Sequence, residues 1–344
     1  MQRRHFLSTC LASTCATLMG TGIMAPAVHA QPLTPLKFTL DFRITSQTSP
    51  FFLAQAKGYY KDEGLQVDID VGSGSVASIM RVASGVYDLG LGDISSLVEF
   101  HAQNPETPVQ AIYQYYNRAP FVIIGRKDRG ITTDFHSLKG KKVAAAAVES
   151  TRRSWPMVAR ALKIQPDLFE WVTTDFSARD NVMVRGDVDA ATYFHDSAVS
   201  LFARMPPKDL SVLEYAKTGL NLYGNAIVAG KLLRDKPDVA KAFLRASNRA
   251  LRETLTNPEA ALAAVKAREP ILNTDVERER WAITRQYLQT AETQAIGLGA
   301  VQPAVLTNQI NEVATVFGLA RKPTPDRVFN PAFLPAAADR KAAA

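Results

Sequence analysis

Polar turns that precede helix-like stretches hold the residues best suited to bind a ligand. Three such turns occur early in the chain, at residues 45–49, 72–75 and 93–96, and each is rich in hydroxyls and small side chains. Free backbone N–H groups at a helix start carry partial positive charge, so these turns suit an anionic or hydrogen-bond-accepting group. Any one turn could equally cap its own helix, but three in succession favour a shared site. The candidate ligand-binding residues here are Thr45, Gln47, Thr48, Ser73, Ser75, Asp93 and Ser95.

A fourth turn of this kind follows the small apolar strand predicted at residues 143–147. Ser150 and Thr151 open a helix-like stretch, where hydroxyls, free N–H groups and the helix dipole converge on an anion. Arg152 or its neighbour could clamp a carboxylate or sulfonate with two hydrogen bonds, while at least one of the two arginines is expected to be a solvated surface charge. Trp155 is either a stacking wall for the ligand or a packing residue. Ser150, Thr151, Arg152 and Trp155 are therefore candidate binding residues.

His195 and Asp196 stand where a predicted strand, residues 189–194, ends at a polar turn. Asp196 in a pocket would favour an amine or a ring that donates hydrogen bonds, although it could equally cap the next helix. His195 is included as a binding candidate, but a hydrogen-bonded structural role is the commoner one for a lone histidine. Together with Arg152, this mixed charge favours a zwitterion or a ring-bearing small acid over a simple inorganic anion.

Catalytic and metal-binding patterns are missing from the sequence. Both cysteines lie within the first 30 residues, and the histidines beyond them stand far apart, at positions 101, 136 and 195. There is no zinc-type His-Glu-x-x-His, no Gly-x-Ser-x-Gly and no phosphate-loop lysine motif. We therefore expect no metal, no cofactor and no enzymatic activity.

The first 30 residues have the three parts of an export signal. Arg3 and Arg4 are followed by a weakly apolar stretch at residues 6–25, and Val28 to Ala30 predicts cleavage before Gln31. The paired arginines resemble a twin-arginine signal, although Gln2 departs from that pattern, so either export route stays open. A retained membrane anchor is the less favoured alternative. We expect a periplasmic protein.

Cleavage after Ala30 would leave 314 residues, with 38 basic and 33 acidic side chains and a net charge of +5. The basic residues form no stripe with interleaved aromatics, so we expect no nucleic-acid partner. Short apolar runs alternate with helix-like stretches from residue 36, as in parallel βαβ units, and the length favours two lobes. Ligands bind beyond the carboxyl ends of the strands in such sheets, which is where the hydroxyl-rich turns lie.

Several segments resemble the nitrate/sulfonate/taurine-type (NMT1-like) solute-binding proteins of ABC transporters. The residues that carry the resemblance are 51–65, 81–92, 121–128, 137–143, 225–229 and 237–258. The family includes binding proteins for thiamine-pyrimidine precursors, and one eukaryotic branch of the superfamily makes that pyrimidine. The histidine-rich chemistry of that branch has no visible counterpart in this sequence.

The resemblance implies an α/β protein with a type II periplasmic-binding-protein fold: two α/β lobes with a ligand cleft between them. Lobe I would comprise residues 31–117 and 226–344, and lobe II residues 118–225. The turn at Asp196 would face the cleft, in the position of an acidic residue found in some members. Tyr113 and Tyr223 would lie beside the chain crossings and are further binding candidates, although core or hinge packing would explain them nearly as well.

The function implied by this resemblance is capture of a small organic molecule and its delivery to an ABC permease in the cytoplasmic membrane. A sulfonate, a carboxylate or a zwitterion is the expected ligand, and a thiamine-pyrimidine precursor is the alternative. A sensing protein that presents its closed form to a receptor is a second alternative. We expect a monomer that closes on its ligand by hinge bending.

Overall fold

Ten strands form two mixed five-stranded sheets in a computed structural model that describes residues 32–341. The export signal predicted at residues 1–30 and its cleavage site lie outside the described residues. The strands are β1 (Thr34–Thr39), β2 (Leu65–Asp70), β3 (Leu89–Asp93), β4 (Gln110–Gln114), β5 (Phe121–Arg126), β6 (Lys142–Ala145), β7 (Glu170–Thr173), β8 (Ala190–Phe194), β9 (Leu210–Glu214) and β10 (Asn225–Ala229).

Fourteen α-helices cover the sheets over the described part of the chain. They are α1 (Ser49–Ala56), α2 (Tyr59–Asp62), α3 (Ser75–Ser84), α4 (Ile94–Gln103), α5 (Ser150–Leu162), α6 (Arg179–Arg185), α7 (Val199–Phe202), α8 (Leu232–Asp235), α9 (Pro237–Thr256), α10 (Glu259–Arg268), α11 (Thr274–Leu288), α12 (Ala291–Ile296), α13 (Pro303–Val316) and α14 (Pro325–Val328). None of these described helices is both long and apolar enough to cross a membrane.

The two sheets repeat one topology. The first has the order β2-β1-β3-β10-β4 and the second β7-β6-β8-β5-β9. Three parallel strands in each sheet are followed by one antiparallel strand, β10 in the first and β5 in the second. We call the part built on each sheet a lobe. The chain passes between them after β4 and again after β9, which confirms the predicted α/β architecture with two lobes.

Local sequence explains the elements nearest the cleft between the lobes. Alternating side chains of β2 are buried and exposed in turn, as the period-two pattern predicted. Pro50 stands in the first turn of α1, where its missing N–H costs no hydrogen bond. Gly72, in the loop after β2, approaches the end of β1 so closely that an added Cβ would lie 1.9 Å from the carbonyl oxygen of Leu40. Glycine therefore allows this loop to pack against β1.

The position of β10 departs from what the strand–helix rhythm indicated. It lies antiparallel between β3 and β4, so these two strands are not direct neighbours. A strand from residue 225 onward fills this gap because the chain returns from the second lobe there. The exact limits of the lobes, at 117/118 and 225/226, stay a prediction.

The residues from Leu33 onward form one compact unit. One buried apolar cluster runs through both lobes, since Leu97 and Val98 of α4 belong to it together with Phe121 of β5 and Trp155 of α5. The lobes therefore share part of their apolar core. Burial of apolar surface stabilises the fold by roughly 25 cal/mol per Å².

Candidate functional site

A cavity of about 400 Å³, counting its mouth, lies between the two lobes. Ligand sites in proteins occur preferentially in clefts between domains, so this cavity is a candidate binding site. Its lining comes from the loops that follow β1, β2, β6 and β7 and from the end of β8, so it faces the carboxyl ends of parallel strands in both sheets. The lining residues are Asp41, Phe42, Gln47, Gly74, Ser75, Glu149, Ser150, Phe176, Arg179, Phe194 and Ser197.

Asp41 is the acidic group on the first-lobe wall. The amide Nδ2 of Asn225 donates to its carboxylate at 2.6 Å, and the backbone N–H of Gly74 donates to its carbonyl at 2.6 Å. Ser75 in turn donates to Asn225 at 3.3 Å. Burial raises the pKa of Asp41 to about 6, and the hydrogen bond from Asn225 opposes that rise. Asp41 is therefore mainly ionised at pH 7 and becomes protonated in mild acid.

Glu149 and Arg179 form a buried ion pair on the second-lobe wall. The guanidinium and carboxylate are 2.7 Å apart, and the side chains are only 4% and 3% exposed. Thr192 donates to the same carboxylate at 2.7 Å. Burial opposes the charge on Arg179, but Glu149, Tyr193 and Asp180 together outweigh it and raise the pKa of Arg179. The guanidinium also lies 3.9 Å from the ring centre of Tyr193, a cation–π contact.

Three half-buried phenylalanines make the cavity partly aromatic. Phe42 of the first lobe meets Phe176 of the second edge-to-face, with ring centres 5.1 Å apart at 64°. Phe194 lines the cavity from the end of β8 and packs on Phe121 at 5.2 Å. Aromatic surfaces of this kind suit a flat ring, because edge and face contacts add to the burial of apolar area. The Phe42–Phe176 contact also joins the lobes at this cavity.

Two lining residues have buried polar atoms without a hydrogen-bond partner among the described residues: Gln47, through Oε1, and Arg179, through Nε. The backbone carbonyl of Gln47 is already used by the Tyr115 hydroxyl at 2.6 Å. Buried polar atoms in proteins are nearly always hydrogen-bonded. A ligand that donates to Oε1 of Gln47 and accepts from Nε of Arg179 would give both atoms a partner.

Of the predicted binding residues, the structure brings three to the cavity lining: Gln47, Ser75 and Ser150. Thr45, Thr48 and Thr151 are buried and do not line it. Thr48 donates to the carbonyl of Thr45, and Thr151 donates to the carbonyl of Tyr193. Ser73 is exposed.

Asp93 and Ser95 serve helix α4 instead of the cavity. The carboxylate of Asp93 accepts from the backbone N–H of Ser96 at 3.0 Å, which is the capping role left open by the sequence. Burial raises the pKa of Asp93 to about 7, and the backbone bond from Ser96 opposes this. Ser95 accepts from Gln309 of α13 at 3.0 Å.

Arg152 and Trp155 also lie away from the cavity lining. The guanidinium of Arg152 donates to Thr173 at 2.9 Å and lies 5.0 Å from the ring of Trp171. Trp155 is 1% exposed, donates to the carbonyl of Pro166 and packs on Phe169. The surface role of Arg152 and the packing role of Trp155 are thus the ones the structure shows.

Asp196 and His195 connect the second lobe to α11. Asp196 is fully buried and accepts from the hydroxyls of Tyr116 and Thr284, at 2.5 and 3.0 Å. His195 pairs with the hydroxyl of Tyr287 at 2.8 Å. Burial raises the pKa of Asp196, and the bond from Tyr116 opposes that rise. These two residues join elements that belong to different lobes, and neither lines the cavity.

Tyr113 and Tyr223 are packing residues near the chain crossings. The Tyr113 hydroxyl donates to Asn248 at 2.9 Å. Tyr223 donates to Glu292 and accepts the backbone N–H of Gln302 at 2.7 Å. Both are buried, so the core-packing alternative describes them.

Sequence reasoning missed most of the charged and aromatic lining: Asp41, Phe42, Glu149, Phe176, Arg179 and Phe194. A signal was present, because these residues follow strands or end one, and the rule that ligands bind at carboxyl ends applies to every parallel strand. Only the hydroxyl-rich turns were selected. No pattern in the local sequence predicts which residues of the two lobes contact each other.

Comparison with known proteins places this geometry in context. The family model described as NMT1/THI5 like matches residues 45–261. A 4-amino-5-hydroxymethyl-2-methylpyrimidine phosphate synthase of Aspergillus parasiticus is 26% identical over 71% of this chain and 73% of its own length. The riboflavin-binding protein RibY of Chloroflexus aurantiacus is 27% identical over 74% of this chain and 72% of its own.

Solved structures resemble the whole architecture at low identity. The aliphatic sulphonate-binding protein SsuA of Escherichia coli has a TM-score of 0.69 at 14% identity, covering 87% of this chain and 99% of that one. The nitrate-binding protein NrtA of Synechocystis PCC 6803 has a TM-score of 0.67 at 14% identity, covering 88% and 87%. The predicted periplasmic-binding-protein fold is therefore confirmed.

The prediction that the chain is not an enzyme, which was based on missing catalytic motifs, is wrong. Relatives that share 24–26% identity over more than two thirds of this chain are named as pyrimidine phosphate synthases. One fold can host both binding and chemistry, so the lack of a familiar catalytic motif does not decide between them.

Proposed function

Because the chain belongs to the NMT1/THI5-like family, we propose that it captures a small organic molecule between its lobes and delivers it to an ABC permease. The observation that carries the proposal is the interlobe cavity, in which Gln47 and Arg179 each have a buried polar atom with no partner in the described part of the chain. A bound ligand contacts both lobes only when they are closed, so it stabilises the closed form, and the permease would recognise that form.

The cavity favours a flat, ring-bearing ligand that donates hydrogen bonds. Arg179 is already neutralised by Glu149, and Asp41 adds a second carboxylate. The two carboxylates outnumber the one guanidinium in the lining, so a simple inorganic anion or an alkyl sulfonate would meet net repulsion. Phe42 and Phe176 supply the ring contacts. A heterocycle, or a zwitterion with a ring, fits this lining best.

Native mass spectrometry of freshly purified protein tests the proposal, with identification of any molecule released on denaturation. We then expect Asp41→Asn and Phe176→Ala to weaken binding of that molecule by about tenfold or more in calorimetry. Arg152→Gln is the matched control, because Arg152 is on the same lobe but outside the cavity lining. Equal affinities in all three variants would reject this cavity as the binding site.

Delivery to a permease requires export, and we propose that residues 1–30 form the cleaved signal of a monomeric periplasmic protein. Support comes from the arginine pair, the apolar stretch and the Val28-His29-Ala30 site. N-terminal sequencing of protein recovered from the periplasm should begin at Gln31. Recovery of an uncleaved chain in the membrane fraction would instead indicate a retained anchor.

A second candidate function is synthesis of a pyrimidine phosphate, the activity in the names of several relatives. The specific observation in its favour is that the pKa of the cavity carboxylate Asp41 is raised to about 6 by burial, within the range useful for proton transfer. Expression of residues 31–344 in cells that require this pyrimidine tests it. Growth rescue that Asp41→Asn abolishes would favour synthesis, and absence of rescue would favour binding alone.

A further inference from the structure

A second cavity lies on the first lobe, at the end of α4 opposite its capped start. Its volume is about 550 Å³, counting its mouth. It shares no lining residue with the cavity between the lobes, so the two are separate. We call it the basic groove, and its lining residues are His101, Pro105, Arg321, Lys322, Pro323, Thr324 and Arg327.

The charges that line the basic groove are all positive. Arg321 has neither a hydrogen bond nor an ion pair with any described residue, and Lys322 donates only to the neutral amide of Asn311, at 2.9 Å. Arg327 donates to the backbone carbonyl of Pro105. The nearest acid in sequence, Asp326, interacts with Thr324 and Arg327 but does not line the groove. Three cations without a carboxylate partner in the lining form an anion-attracting surface.

His101 gives the groove a buried imidazole. It is 3% exposed, and neither ring nitrogen pairs with a described side chain. Burial, reinforced by Arg327, lowers the pKa of His101 to about 4, although the backbones of Val109 and Arg327 lie close enough to oppose this. The ring is therefore neutral at pH 7 and retains one N–H donor.

One carbonyl in the last turn of α4 is already used. Phe100 O already accepts the backbone N–H of Asn104 at 2.8 Å and its side-chain amide at 3.1 Å. A buried imidazole beside guanidinium and ammonium groups gives several N–H donors on one surface, and tetrahedral oxyanions are bound by donor sets of this kind. From this arrangement we propose that the basic groove binds a phosphate-type oxyanion. The site is independent of the cleft ligand, so its failure would leave the proposed function untouched.

Calorimetric titration of the signal-free chain, residues 31–344, with inorganic phosphate tests the proposal. We expect binding that weakens by at least about tenfold in Arg321→Gln/Lys322→Gln, since two charged donors are lost. Both side chains are exposed, so this variant should fold normally. Lys139→Gln is the matched control, because Lys139 is an exposed cation on the other lobe, and it should bind phosphate like the parent protein.

Co-sedimentation with vesicles distinguishes a free phosphate from a lipid headgroup. Binding to phosphatidylglycerol vesicles that the double variant loses would identify a headgroup as the source, while phosphate binding without vesicle binding would identify a soluble one. A proton NMR titration should also show the His101 pKa rising in phosphate. Absence of phosphate and vesicle binding, equal binding by the double variant, or preference for polyglutamate over phosphate would each overturn the proposal.

Discussion

Removal of Arg179 should be among the most damaging single changes in the second lobe. Arg179→Met leaves Glu149 as a buried carboxylate that is 3% exposed and has lost its ion-pair partner at 2.7 Å. Breaking a buried pair in this way typically costs about 3–5 kcal/mol. The hydroxyl of Thr192 and the backbone N–H of Ala146 still donate to the carboxylate. We therefore expect a loss near the lower limit, about 3 kcal/mol in the free energy of unfolding.

The second substitution in the cycle should recover most of this loss. Glu149→Gln in the Arg179→Met background removes the stranded charge but can keep the hydrogen bond from Thr192. Because buried ion pairs can often be replaced by neutral groups at little cost, the double variant should unfold within about 1 kcal/mol of the parent. Arg185→Met is the control, because its pair with Asp187 is 62% and 48% exposed and should contribute at most about 1 kcal/mol.

Urea unfolding of ligand-free protein, followed by circular dichroism, measures these differences as shifts in midpoint at constant slope. The reasoning would be refuted if Arg179→Met cost no more than Arg185→Met. It would also be refuted if the double variant were no more stable than Arg179→Met, since the loss would then come from missing packing instead of an uncompensated charge.

Three further predictions follow from groups near the cleft. The pKa of Asp41 is about 6 in the folded protein, against 3.8 for the free group. As the pH rises from 4 to 7, the parent should therefore lose up to about 3 kcal/mol of folding stability relative to Asp41→Asn. Urea unfolding midpoints of the two proteins across this pH range measure the loss. Arg153→Gln breaks the interlobe ion pair with Glu99 and should open the lobes. Solution scattering should then give a larger radius of gyration, and an unchanged radius would contradict the prediction. Gly72→Ala would clash with the carbonyl of Leu40 and should lower the melting temperature by several degrees, whereas an unchanged temperature would mean that the loop moves freely.

Two of the three cleft residues that sequence analysis identified begin a helix, and the third, Gln47, lies in the short 3-10 helix that precedes α1. Ser75 and Ser150 are the first residues of α3 and α5, and both line the cavity. The rule that ligands bind at the carboxyl ends of parallel strands needs only local periodicity and the chain order. The α/β class, the two-lobe organisation and the edge that carries the site were therefore predictable.

Hydroxyl-rich turns did not by themselves distinguish ligand contacts from helix caps. Asp93 and Ser75 both stand at helix starts, yet Asp93 caps α4 while Ser75 faces the cavity. Both roles use the same free N–H groups and the same side-chain types. Which role a residue takes depends on whether the other lobe leaves space beside it.

The amino-acid sequence by itself determined the alternation of strands and helices in the first lobe, the strands at residues 143–147 and 189–194 in the second, and the family to which the chain belongs. Tertiary structure alone decided that Phe42 meets Phe176, that Glu149 pairs with Arg179, and that β10 separates β3 from β4. The physical reason is range. Periodicity, caps and turns act over a few residues, whereas the pairing of distant side chains is set by how the whole chain buries its apolar surface and pairs its polar groups.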